Sequence, residues 1–160
     1  MMLFSKKEKA LLAVANGKSL PLSEVPDEAF STGILGEGFA IDPEDGTVYS
    51  PIDATVESIA DSKHAYTLHS DDGLELLVHI GIDTVELKGD GFLPMVSEGD
   101  RIKAGEVLAR ADLNLLHGKN FPCIIPVVIT NPEAVELQKL RICNTIGGET
   151  AVLPYRVNQT

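Results

Sequence analysis

The sequence has only two cysteines, Cys123 and Cys143, and no CxxC pair. That count fits a reduced, cytoplasmic protein rather than a disulfide framework. No apolar run approaches the roughly 20 residues that cross a bilayer. The N-terminal "MMLFSKKEKALLAVANG" puts basic residues ahead of a short apolar patch. It lacks a long apolar region with a small-residue cleavage site, so it does not read as a signal peptide. Basic residues are scarce: 13 Lys and Arg stand against 24 Asp and Glu, a formal net charge of −11. Nucleic acid rewards a basic surface, so this balance argues against it. An acidic surface instead keeps a protein soluble and steers a basic protein partner. There is no Walker-type glycine loop and no kinase motif, so direct use of a nucleotide is not expected.

What is present is a core and many turns. Hydrophobic residues make up 44% of 160, enough for one compact domain. Residues 1–12 read as an N-terminal tail, with a short helix in "SKKEKALLA", and residues 13–160 as a single domain. Turn signals recur at "PEDG", "SDDG", "KGDG", "SEGD" and "IGGE". Strand formers fill the intervals: "TVYSPI", "TVESIA", "HAYTLH", "LELLVHI", "RIKAGEVLARA", "IIPVVIT" and "ETAVLPYRV". Such spacing predicts an all-β antiparallel sandwich or barrel, not repeated βαβ units. A second helix is expected in "NPEAVELQKL", from its Asn cap and its Pro at the first helical position.

One histidine stands out in "LELLVHIGID". Leu74, Leu76, Val78, Ile80 and Ile82 alternate with Glu75, Leu77, His79, Gly81 and Asp83. Side chains alternate across a strand, so the first set forms the core face and His79 faces outward. Gly81 is expected to clear space beside its imidazole. The preceding hairpin supplies company. A four-residue loop at "SDDG" pairs His69 with Leu74, and so His64 with His79 and Tyr66 with Leu77. Opposed residues have Cβ atoms about 4.5–5.5 Å apart. A two-residue turn places the histidines diagonally, and a three-residue loop breaks the relation. Tyr66 and Leu77 then make an apolar patch for a protein partner. His69 and His117 have no such company and read as structural.

Two facing imidazoles suit three chemistries. With a carboxylate they bind zinc. They serve acid–base catalysis. They also serve phosphoryl transfer through a phosphohistidine, one imidazole accepting and the other donating a hydrogen bond. Without a nucleotide site, the donor in that last case is another phosphoprotein.

"VHIGIDTVELKGDGF" (78–92) is very close to a known phosphorylation-site signature. "SEVPDEAFSTGILGEGFAIDP" (23–43), "SPIDATVESIADSKHAYTLHSDDGLELL" (50–77), "EGDRIKAGEVLARADL" (98–113) and "PVVITNPE" (126–133) agree in order. Over roughly residues 13 to 156 the chain resembles the glucose-type enzyme IIA of the bacterial phosphoenolpyruvate:sugar phosphotransferase system. The resemblance implies an antiparallel β-sandwich with Greek-key connections and a few short helices. It implies that His79 is phosphorylated through Nε2 and that His64 helps pass the phosphoryl group onward. The donor would be the histidine phosphocarrier protein HPr, and the acceptor a cysteine of the cognate enzyme IIB in sugar uptake. Ser62 stands where the family usually has a threonine that hydrogen-bonds a site histidine. Asp27 and Asp83 match acidic positions flanking the site. Phe30 matches an apolar residue of the docking surface, which Tyr66, Leu77 and Val85 are expected to complete. Ala60 and Leu77 replace a Phe of some members. No cofactor is required; zinc is an opportunistic ligand of His64 and His79. The tail "LFSKKEKALLA" is similar to an amphipathic segment that touches anionic membranes in some members, the competing expectation being a frayed terminus. Its own start and a complete domain favour a chain that acts alone over part of a fused permease.

Two other classes compete. "EGDRIKAGEVLARAD" is similar to biotinyl and lipoyl carrier domains, yet no lysine tip follows it. A zinc hydrolase on a related β-scaffold calls for a further ligand, often in an HxH pair, and no such pair occurs.

Overall fold

The computed structural model describes residues 9–158. Fourteen short strands lie among them. The first seven are β1 (Lys9–Leu12), β2 (Gly17–Leu20), β3 (Glu37–Pro43), β4 (Thr47–Tyr49), β5 (Ala54–Ile59), β6 (Ala65–Ser70) and β7 (Glu75–His79). Then follow β8 (Phe92–Pro94), β9 (Arg101–Ile102), β10 (Val107–Ala111), β11 (Ile125–Ile129), β12 (Val135–Leu137), β13 (Asn144–Thr145) and β14 (Ala151–Val157). Two short helices, α1 (Glu28–Ser31) and α2 (Leu113–Gly118), start on aspartate caps. Asp27 accepts the Ala29 N–H at 2.8 Å and Asp112 the Leu115 N–H at 3.1 Å, each filling an otherwise orphaned donor of a first turn.

All strand pairs are antiparallel. One sheet runs β13-β2-β3-β11-β7-β6-β5-β9, and two smaller ones run β1-β14-β12 and β4-β10-β8. Strands β5, β6 and β7 follow one another as neighbours, and β9 returns beside β5, which is Greek-key order. A single core cluster joins the three sheets, through Leu68, Leu76 and Val78, through Leu11 and Val152, and through Val48 and Leu108. The expected all-β antiparallel sandwich is the observed fold.

Strand β7 lies inside the large sheet, with β6 on one side and β11 on the other. Leu74, Leu76, Val78 and Ile80 are fully buried, while Glu75, Leu77 and His79 are half-buried on the opposite face. The alternation read from the sequence therefore holds. A second, smaller apolar cluster of Phe30, Leu22, Val25, Ala40, Ile82, Ile124 and Val128 has Leu77 packed against it.

Neither expected helix appears among the described residues. Residues 9–12 of "SKKEKALLA" form β1 against β14; residues 1–8, with the tail's Leu3 and Phe4, lie outside the described residues. In "NPEAVELQKL", Pro132 opens only a 3-10 turn. Val135 then pairs with Val157, and Leu137 with Tyr155. Asn131 does not cap; its Oδ1 accepts the Glu75 N–H at 2.8 Å and its Nδ2 donates to the Gly73 carbonyl. Pairing with β14 outweighs a weak local helix preference.

The β6–β7 connection also differs. Ser70 N–H donates to Leu74 O at 2.8 Å and Gly73 N–H to Ser70 O at 3.1 Å, with Gly73 at φ +95°. This is a three-residue loop, and the register is Ala65↔His79, Tyr66↔Val78 and Thr67↔Leu77. A four-residue loop is one residue out. Such a slip turns a side chain to the other face, so Tyr66 joins the core rather than a docking patch and is 0% exposed. Its hydroxyl has no hydrogen-bond partner, and burial pushes its pKa up. Tyr66→Phe keeps the ring and removes an unpaired buried hydroxyl. It should raise the unfolding free energy by about 1 kcal/mol in urea titrations; a loss of stability would mean that the hydroxyl is paired in solution.

Candidate active site

Strand β7 ends on His79. The chain beyond it stays tied down, Gly81 N–H donating to Ile124 O and Ile82 N–H to Pro122 O, each at 3.1 Å. Thr84, fully buried, closes the turn by donating from Oγ1 to the Ile80 carbonyl at 2.6 Å. Gly81 has φ +78°, and a Cβ there would lie 2.6 Å from Thr84 Cγ2 and 2.9 Å from Pro122 O. Glycine is thus required by Thr84 and Pro122, not to clear space for the imidazole. Its carbonyl turns back to His79 Nδ1 at 2.7 Å. A carbonyl only accepts, so Nδ1 carries the hydrogen and Nε2 keeps its lone pair.

His64 arrives by a different route. Lys63 N–H donates to Ala60 O at 2.7 Å and Ala60 N–H to Ala65 O at 2.9 Å, with Lys63 at φ +61°. The ladder ends at Ala65↔His79, and Ile80 N–H donates to the His64 carbonyl at 2.7 Å. A regular strand would put His64 on the core face with Tyr66. Standing past the last ladder pair, its ring meets His79 edge-on instead, with centroids 4.8 Å apart at 85°. The histidines do come together, by the 60–63 turn rather than by direct cross-strand pairing. Phe30 packs on His79 with centroids 5.1 Å apart.

The electrostatics favour neutral rings. Burial lowers the His79 pKa, opposed by the Gly81 carbonyl and by the charges of Asp27 and Asp83. Burial, then the charge of His79, lowers that of His64, opposed by the Ser62 carbonyl. His64 is only 6% exposed, and its Nδ1 is buried without a partner. Desolvation penalises the charged imidazole, so both rings are predominantly neutral at pH 7.

The other expected residues divide. Asp27 caps α1 and Asp83 is exposed at φ +60°; both act on His79 by charge. Phe30 is buried against His79, Leu77 is half-buried, and Val85 is 53% exposed. Ser62 Oγ forms no hydrogen bond to either imidazole among the described residues. Tyr66 lies in the core. His117 is exposed in the last turn of α2. His69 is not solitary: it lies between Glu57 and Glu75. Thr84 and the Gly81 carbonyl carry no residue-type signal of their role, and only the glycine two residues after His79 hints at it. Among the described residues, no third His, Cys or carboxylate converges with His64 and His79 as a metal set.

The fold and the site define an all-β protein that presents a neutral imidazole of fixed tautomer beside a second imidazole. Residues 9–135 match the family described as phosphoenolpyruvate-dependent sugar phosphotransferase system, EIIA 1. The chain is 39% identical over 154 residues to the PTS system glucose-specific EIIA component of Staphylococcus aureus, covering 96% of this chain and 93% of that protein. It is 45% identical over 130 residues to the glucose-specific EIICBA component of Staphylococcus saprophyticus, covering 81% of this chain and 19% of that longer protein. Glucose permease IIA from Mycoplasma capricolum superposes with a TM-score of 0.87 at 31% identity, covering 95% of this chain and 99% of that one. The chain belongs to this EIIA family of the sugar phosphotransferase system. Among the described residues no helix is long and apolar enough to cross a membrane.

Titration followed by 15N NMR should place the midpoints of both His64 and His79 below 6.5, with His79 as the Nδ1–H tautomer. A midpoint above 6.5 for His79 would mean that the Gly81 carbonyl and the two aspartates together outweigh burial. Gly81→Ala should destabilise the protein by about 1–3 kcal/mol, from the strained φ and the steric clash. Thermal unfolding checks this.

Proposed function

We propose that this chain is a phosphocarrier that takes a phosphoryl group from phospho-HPr on His79 and delivers it to an enzyme IIB cysteine. The observation that carries this is the Gly81 carbonyl bound to His79 Nδ1, because it leaves the Nε2 lone pair free to attack. In the first step that lone pair forms a bond to phosphorus. The phosphorus–nitrogen bond of the donor breaks, and its electron pair returns to the donor imidazole. In the second step a cysteine thiolate attacks the phosphorus, and the pair of the breaking bond returns to Nε2. Little covalent help is needed from the protein beyond positioning and charge stabilisation. His64, with its ring against His79, donates an N–H to the phosphoryl oxygens as they pass.

Neutral imidazole is the reactive form, so a pKa below 6.5 keeps His79 competent at pH 6.5 and above. Asp27 and Asp83 repel a phosphate and are assigned to the rim, where they face basic side chains of a partner. Leu77 and Val85 provide apolar contact there, while Phe30, buried, backs the His79 ring rather than meeting a partner. Zinc bound between His64 and His79 would occupy the lone pair that transfer needs, so no cofactor is assigned. The net charge of −11 favours rapid encounter with a basic donor at low salt.

The test mixes the protein with phosphoenolpyruvate, enzyme I and HPr and reads its mass. One acid-labile phosphate is expected on the wild type and none on His79→Ala; an unlabelled wild type would falsify the assignment. His64→Gln should still accept phosphate but fail to transfer it to enzyme IIB. Normal onward transfer by that variant would remove the role given to His64.

A further inference from the structure

We propose that Glu57, His69 and Glu75 form a zinc-binding site on the outer face of the large sheet, separate from the histidine pair. The three residues come from three adjacent strands, β5, β6 and β7. Glu75 stands directly opposite His69 in the ladder. Glu57 is the extra residue of a bulge in β5, between the pairs Val56↔Leu68 and Ser58↔Thr67. Bulges re-aim side chains at chosen points of a sheet. One ligand atom from each residue lies within 4.8 Å of the others. His69 Nδ1 is 2.5 Å from Glu75 Oε1 and 3.8 Å from Glu57 Oε1.

Two carboxylates here converge on one imidazole, and no Lys or Arg nitrogen lies within 4.0 Å of either among the described residues. The nearby Asp71 already has a partner in Arg101, by two hydrogen bonds of 2.9 and 2.8 Å. Calcium and magnesium favour all-oxygen sets. An imidazole with two carboxylates is a zinc set, with the fourth position left to water. Zinc–ligand bonds of about 2.0–2.1 Å put tetrahedral ligand atoms roughly 3.3 Å apart. Glu75 must move out by somewhat under an ångström and Glu57 in by about half that, which side-chain rotation at an open surface supplies. The metal takes the place of the proton that His69 Nδ1 now shares with Glu75; the ligating ring then carries its one hydrogen on Nε2, and any second proton passes to water.

Glu75, Leu77 and His79 share one face of β7. Four residues at roughly 3.3 Å each separate Glu75 from His79, so the metal does not block the histidine pair. It would join the loop end of the β6–β7 hairpin to β5.

Zinc titration by calorimetry tests the site. The His64→Ala, His79→Ala double variant should still bind one zinc. Adding His69→Ala, or Glu57→Gln with Glu75→Gln, should weaken that binding more than about tenfold, since even outer-shell losses cost 10- to 100-fold. Zinc binding unchanged on loss of His69 overturns the proposal. So does a double variant that is folded by circular dichroism yet binds no zinc. A second reading uses the wild type: zinc added in steps should shift the 15N resonances of His69 at sub-stoichiometric levels. Shifts at His64 and His79 with none at His69 overturn the proposal as well. His69→Ala should leave phosphoryl acceptance from HPr unchanged.

Discussion

The hydrogen bond from His79 Nδ1 to the Gly81 carbonyl needs much of the fold in place. The carbonyl points back only because Gly81 takes a left-handed conformation between Thr84 and the Pro122 carbonyl. That conformation persists because Gly81 and Ile82 are tied to the chain entering β11. Strand β11 in turn pairs with both β3 and β7. The tautomer of one ring is thus set by the packing of a sheet interior. An imidazole held only by its own strand would have no reason to choose between its nitrogens.

Burial does the complementary work. It lowers the pKa of both rings, while Asp27 and Asp83 pull that of His79 the other way. The two aspartates reach the site by different means. Asp27 is fixed by capping α1, which also brings Phe30 onto His79. Asp83 sits in a left-handed turn before a 3-10 segment. Both acidic charges therefore stand on backbone features with a structural reason of their own.

The alternation over residues 74–80 was legible because one face is fully buried, and period two leaves little freedom; past the end of β7 it fails, and Ile82 joins the smaller cluster with Leu77 instead. The hairpin register was not legible. It depends on whether Ser70 belongs to the loop or to β6, and one residue there moves Tyr66 from surface to core. His64 and His79 were rightly brought together but for the wrong reason: the loop is the three-residue one expected to part them, and the 60–63 turn, not the ladder, unites them. Short helices were poorly legible for a related reason. Helices α1 and α2 have four and six residues, too few to show a 3.6-residue period. In "KALL" and "VEL" three or four residues fit either period, and pairing with β14 decides. The carbonyl that fixes His79 is a backbone atom, to which residue types are blind.

The ladder ends at Ala65↔His79, which places the two imidazoles under separate structural control. His79 belongs to the sheet interior, whereas His64 is held by the Ala60–Lys63 turn on one side and by the Ile80 N–H on its carbonyl. The Gly81 carbonyl that orients the first ring is no part of the turn that carries the second. A change in that turn would alter the spacing of the pair and leave the tautomer of the first ring to Gly81.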